Sequence, residues 1–149
     1  MEVTQYDTSQ TTLAGSGLTE ALFVAEAIRM GFNVSRPLGV MPYDYIIEKD
    51  GKLSRIQVKG TFADPAKNPK QLNKIMMKRS PTQTGYTISE IDFVAAYLVV
   101  ADLWYVIPIA ACAGLKTINL YPLKEIEGIR PQQCRFEQYR NAWHLLSGP

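Results

Sequence analysis

Asp50-Gly51 stands between two apolar-rich runs in the stretch PYDYIIEKDGKLSRIQVKG, residues 42–60. Asp-Gly in that setting predicts a two-residue hairpin turn, because both central positions must accept positive φ. Such a turn also sets the register. Lys49 then faces Lys52, and counting back along both arms puts Asp44 opposite Gln57. Side chains alternate faces along a strand, so Asp44, Gln57 and Lys59 share one side while Ile56 and Val58 point to the other. A carboxylate, an amide oxygen and an ammonium gathered at one sheet end suit a hard cation and a phosphate. The plainer alternative is an exposed hairpin edge carrying solvated polar side chains.

The rest of the composition narrows the function classes. A chain of 149 residues with 46% apolar residues predicts one domain with an ample core. Its net charge of +2 does not announce a nucleic-acid binder, so any basic surface must come from local clustering. Cys112 and Cys134 lie far apart with no CxxC, which predicts free thiols in a reducing cytoplasm. The single histidine, His144, disfavours zinc sites and histidine-based triads. Phe93–Val100 and Leu103–Ala113, separated by Asp102, are too short to span a bilayer, and no signal peptide is visible. A cytoplasmic protein without a membrane is expected.

Along the chain, residues 1–16 read as a flexible polar arm and residues 17–149 as a single domain. Leu18–Met30 predicts a helix closed by Gly31, apolar around most of its circumference and so packed on more than one side. Glu20 on that helix is edged by Phe23, Val24 and Ala27; it serves either the helix dipole or a site. Phe32–Arg36 is a short extended run and Pro37–Met41 a loop.

Residues 60–81 carry Lys67, Lys70, Lys74, Lys78 and Arg79 against Asp64 alone. This is the best candidate for DNA-phosphate contacts, the bland reading being a solvated lysine face. Asn73–Arg79 reads as a third strand beside the hairpin in preference to a helix opened by Asn68-Pro69. Tyr86–Asp92 is a turn. Phe93–Val100 and Leu103–Ile109 predict a second hairpin buried on both faces, with Trp104 and Tyr105 as core or rim packing in preference to base-stacking platforms. Lys116–Tyr121 is a further strand stopped by Pro122, and Glu125–Gln133 a polar loop. Arg135–Leu146 predicts a closing amphipathic helix, its Phe136, Tyr139, Trp143 and Leu146 stripe facing the core or an oligomer contact. The pattern predicts an α/β or α+β fold: a mixed, mostly antiparallel sheet flanked by helices.

Glu20 on a first helix, Pro42-Tyr43-Asp44 opening a strand and Gln57-Val58-Lys59 on the next resemble the PD-(D/E)xK nuclease superfamily. Gln57, where most members carry Asp or Glu, resembles the branch of group I intron homing endonucleases. Tyr86 ahead of Glu90-Ile91-Asp92, the WYVIP run and the YRNAWHLL tail extend the match over residues 15–146. The resemblance implies a restriction-endonuclease-like core and a metal-dependent endonuclease that hydrolyses phosphodiester bonds in double-stranded DNA with Mg²⁺ or Mn²⁺. Asp44 would be the central metal ligand, with Gln57 and the Val58 carbonyl supplying further oxygens. Glu20 would reach the ion through water, and Lys59 would orient or help deprotonate the attacking water. Pro42 would shape the strand entry.

A double-strand break needs two sites, so a homodimer or homotetramer is expected. A Holliday-junction resolvase-like nuclease and a catalytically degenerate DNA-binding module are the alternative readings.

Overall fold

The computed structural model describes residues 12–64, 67, 73–79, 82–122 and 134–149, with side chains from residue 16 onward. Helix α1 spans Thr12–Arg29. It therefore begins inside the stretch read as a flexible arm, and Gly15 and Gly17 are helical. Thr19, Phe23 and Ala27, four residues apart, are buried, whereas Ala21, Ala25 and Ile28 are exposed. The helix thus packs on one face, not several. It ends as expected at Gly31 (φ +84°). Gly31 N–H donates to the Ile28 carbonyl (2.9 Å) and Phe32 N–H to the Ala27 carbonyl (3.0 Å). This paired cap satisfies two helix-end carbonyls and turns Phe32 back against Ala27.

The chain next forms β1 (Asn33–Ser35), β2 (Tyr45–Lys49) and β3 (Lys52–Thr61). Asp50 and Gly51 take φ of +52° and +79°, and Lys49 pairs with Lys52. Strand β4 (Asn73–Met76) is followed by β5 (Phe93–Leu98), β6 (Leu103–Pro108) and β7 (Thr117–Leu120). The main sheet has the order β1-β2-β3-β5-β6. All its neighbours are antiparallel except β3 and β5, which run parallel with Gln57 beside Val94 and Lys59 beside Ala96.

Strand β4 does exist, but it does not extend the hairpin's sheet. It pairs antiparallel with β7 in a separate two-stranded ribbon. The parallel contact of β3 with β5 occupies the edge that β4 would have needed.

Two cores lie on the two sheet faces. Tyr45, Ile47, Ile56, Val58, Tyr97, Trp104 and Val106 pack against Phe23 and Ala27 of α1 and against Trp143 and Leu146. Phe23 is fully buried, with its ring 5.8 Å from Trp104 and 5.9 Å from Trp143. On the other face Val94, Ala96, Leu98, Tyr105 and Ile107 meet Tyr86, Ile91 and the ribbon's Ile75, Ile118 and Leu120. Trp104 and Tyr105 are both core residues, on opposite faces of β6.

The closing α-helix over 135–146 does not form. Short 3-10 turns at Glu137–Tyr139 and Trp143–Leu146 replace it. Between them Asn141 adopts φ +49° and donates its N–H to the Trp104 carbonyl (2.8 Å), while Arg140 bridges to Tyr105. Backbone bonding to the free edge of β6 thus wins over continuous helix. The apolar stripe still reaches the core: Phe136, Trp143 and Leu146 are buried. Residues 1–11, Lys70 and the loop 125–133 lie outside the described residues. Among the described residues no helix is long and apolar enough to cross a membrane.

Candidate active site

The site begins with the register of one hairpin. Tyr45 pairs with Ile56, and the next step outward sets Asp44 beside Gln57, with Asp44 N–H donating to the Ile56 carbonyl (2.8 Å). Asp44 Oδ2 accepts two hydrogen bonds, from Val58 N–H (2.8 Å) and from Gln57 Nε2 (2.8 Å). Gln57 Nε2 also donates to the Val58 carbonyl (3.3 Å). One amide nitrogen thus bridges a carboxylate oxygen and a backbone carbonyl. Gln57 is buried and Asp44 half-buried.

The charges here are partly stripped of water. Burial pushes the Asp44 carboxyl above the usual carboxylate range. The Val58 N–H bond opposes this, Glu20 adds to it, and Lys59 and Arg36 pull it back without cancelling it. Burial lowers the Lys59 ammonium below its ordinary value, although Asp44 and Glu20 both favour its charged form. Among the described residues no hydrogen bond or ion pair holds Lys59 Nζ. It sits instead over the Tyr86 ring, 5.5 Å from the centroid.

Glu20 comes from the other side of the sheet, on α1, where Gly60 lets the helix approach β3. A Cβ at residue 60 would stand 2.7 Å from Thr19 Oγ1, so a side chain there would push the helix away. Glu20 makes no direct hydrogen bond to Asp44 or Lys59. Its carboxylate reaches both through its charge. Its contact is Arg36, whose Nη2 lies 3.4 Å from Glu20 Oε1 and 3.3 Å from the Tyr45 hydroxyl. The structure therefore joins Asp44, Gln57 and Val58 by contact and adds Lys59 and Glu20 electrostatically. Pro42, two residues before Asp44, is half-buried at the strand entry.

The basic residues of 60–81 do not act alike. Lys67 is exposed and stands 3.9 Å from Asp64, while Lys74 and Lys78 are exposed on and beyond β4. Arg79 is half-buried in an ion pair with Glu90, and its guanidinium also lies 5.9 Å from the Tyr86 ring centroid. Two site neighbours escaped the residue-level reading. Tyr86 is buried beneath Lys59, its hydroxyl pushed up to about 12 by burial and by the Asp44 charge. Arg36 faces Glu20. Both come from outside the hairpin; the family resemblance alone singled out Tyr86, and Arg36, just after β1, carried no signal.

Among the described residues no three of His, Cys, Asp and Glu gather as a metal site. The oxygens that do gather are those of Asp44, the Val58 carbonyl and the Gln57 amide. The bridging Gln57 NH₂ carries partial positive charge between two oxygens, the place a cation would take, and turning the amide over would present its own oxygen there. That donor set fits a hard divalent ion with one carboxylate fewer than a carboxylate-rich site.

A model of the PD-(D/E)XK endonuclease family matches residues 10–146. The chain belongs to that family. Among solved structures, this PD-(D/E)XK chain is similar to the bacterial homing endonuclease I-Ssp6803I. The two share 25% identity and a TM-score of 0.73, over 91% of this chain and 92% of that one. No curated protein matches it. The restriction-endonuclease-like fold is thus shared over nearly the whole chain, and the mixed five-stranded sheet with one flanking α-helix is its expression here.

Proposed function

We propose that this PD-(D/E)XK endonuclease is a Mg²⁺- or Mn²⁺-dependent, homing-endonuclease-like enzyme that cuts double-stranded DNA at preferred sites. The observation that supports it best is the joining of Asp44 Oδ2, the Val58 carbonyl and the Gln57 amide beside the half-buried ammonium of Lys59, which no carboxylate pairs among the described residues. Asp44, Gln57 and the Val58 carbonyl would hold the ion, with Glu20 behind them through water. A bound divalent ion supplies Lewis acidity toward a phosphate oxygen and a more acidic water.

The chain's own residues do the remaining work. Lys59 faces the phosphate, offsets its charge and orients the attacking water in a partly dry setting, where such an interaction is stronger than in bulk. Tyr86 confines the Lys59 side chain by its ring face. Burial disfavours the charged form of Lys59, and Asp44 and Glu20 favour it. The missing third carboxylate weakens ion binding relative to an acidic site.

Cleavage of both strands calls for two such sites, hence a homodimer or homotetramer. The Phe136–Leu146 stripe is spent on the core, so the exposed Leu38, Val40 and Met41 on the loop ahead of Asp44 offer the better apolar contact surface.

Incubation with a pool of random-sequence duplexes and Mg²⁺, followed by sequencing of the cut ends, tests the reading. Metal-dependent ends with a shared motif are the expected result. Preference for four-way junctions over linear duplex would favour the resolvase reading. Salt-sensitive binding without any nicking would favour the degenerate module.

A further inference from the structure

The ribbon of β4 and β7 has two unlike faces. Asn73, Ile75, Ile118 and Leu120 are buried toward the sheet, while Lys74 and Met76 are exposed. Directly across the ribbon, Lys74 pairs with Asn119 and Met76 with Thr117. These four side chains therefore share the outward face. Asn119 is half-buried, and its amide oxygen is buried without a hydrogen-bond partner among the described residues.

At the ribbon's end Met77 N–H donates to the Lys116 carbonyl (2.9 Å), bringing Lys78 and Lys116, both exposed, close to the pairing. Residues 73–79 and 116–121 contain no acidic residue. The ribbon's inner residues pack in the same cluster as Tyr86, the ring beneath Lys59. Alternation along β3 puts Gln57 and Lys59 on that same sheet face. A duplex laid on the candidate active site would therefore lie alongside the ribbon.

We propose that this ribbon is the sequence reader, entering the DNA major groove, and this rests on the nuclease reading above. A B-DNA major groove, about 12 Å wide, admits a two-stranded β-ribbon. Lys74 and Asn119 are the types that read guanine and adenine edges. Thr117 and Met76 offer methyl groups to thymine, and Lys78 and Lys116 contact phosphates. The face is cationic and hydrogen-bonding rather than broadly apolar, so DNA fits it better than a second copy of the chain.

The test selects bound duplexes from a random pool in Ca²⁺, used as the probe cation, with full-length protein. Lys74→Ala/Asn119→Ala, checked for unchanged thermal melting, should lose preference at two or three neighbouring base pairs. Roughly 5- to 150-fold discrimination per contact should disappear. Lys78→Ala/Lys116→Ala should weaken binding to all sequences alike and lower the salt slope by about two. An unchanged motif in Lys74→Ala/Asn119→Ala overturns the ribbon as reader, and so does a parent protein that binds DNA without selecting any motif. A parent that binds no DNA at all overturns the nuclease reading together with the ribbon.

Discussion

Arg55 and Lys59 sit on the same strand and the same sheet face, four residues apart, and the fold treats them in opposite ways. Arg55 is fully answered. Its Nη2 lies 2.9 Å from Asp92 Oδ1, its Nε 3.1 Å from Asp92 Oδ2, and its backbone N–H 2.7 Å from the same Oδ2. Burial pushes the Asp92 carboxyl up. The Arg55 hydrogen bonds and charge together outweigh that and leave it below the usual carboxylate range. Lys59 is also half-buried, yet among the described residues it meets no carboxylate within ion-pair distance, and burial lowers its pKa. The first cation is used up in joining β3 to the end of β5. The second is left half-buried without such a partner among the described residues. Charge satisfied within the chain marks structure, and half-buried charge without a partner makes Lys59 a candidate for chemistry.

Breaking the unsatisfied member should have the largest effect. Lys59→Ala and Asp44→Ala should each lower metal-dependent cleavage by about 10²- to 10³-fold or more while leaving circular dichroism and DNA binding near parental. Cutting at the parental rate by either variant would remove these residues from the chemistry.

Gln57→Glu sharpens the contrast from the other side. It puts a second carboxylate where the amide now bridges Asp44 and Val58. Divalent-cation affinity measured by titration calorimetry with Ca²⁺ should rise about 10-fold, and the metal-free protein should melt lower through like-charge repulsion. Equal affinity in both proteins would mean that the amide is no stand-in for the ion.

Arg55→Ala tests the satisfied member. It should destabilise the fold by roughly 1 kcal/mol, since both partners are about a third exposed and the pair is screened. Cleavage per folded molecule should hardly change. The acid side of the stability curve should flatten too. A carboxyl with a depressed folded pKa contributes stability above its unfolded pKa and loses it as pH falls through the folded one. Urea melts at stepped pH read this directly.

The smallest effect is expected from Asp44→Asn in metal-free protein. A carboxyl whose folded pKa is raised contributes stability below its unfolded pKa and loses it as pH rises through the folded value. Removing the charge should therefore raise the melting temperature slightly at neutral pH and leave it unchanged at low pH. A drop at neutral pH would show that the hydrogen bonds to Oδ2 outweigh the burial.

The hairpin half of the site was legible in the sequence because Asp50-Gly51 fixes a register, and a register decides which side chains share a face. The helix end at Gly31 and the second buried hairpin were legible for the same local reason. What lay beyond reach was set by partners distant in sequence. Asn73–Met76 reads as a strand, yet nothing local reveals that β7, and not the hairpin, receives it. The stripe from Phe136 to Leu146 has helical spacing and reaches the core, but Asn141 and Arg140 bond to β6 instead of continuing a helix. Tyr86, noted in the sequence only as part of the family resemblance, and Arg36 join the site through tertiary packing.

The parallel seam between β3 and β5 has a consequence for synthesis on the ribosome. A nascent chain that ends before Phe93 already carries every residue from Asp44 to Lys59, but β3 is then an open edge in water. The strand that pairs beside Gln57 and Lys59 is added only with residues 93–98, so the sheet around the candidate site closes last at that seam. An arrangement that joins Asp44 to Lys59 is thus complete only in a chain long enough to supply β5.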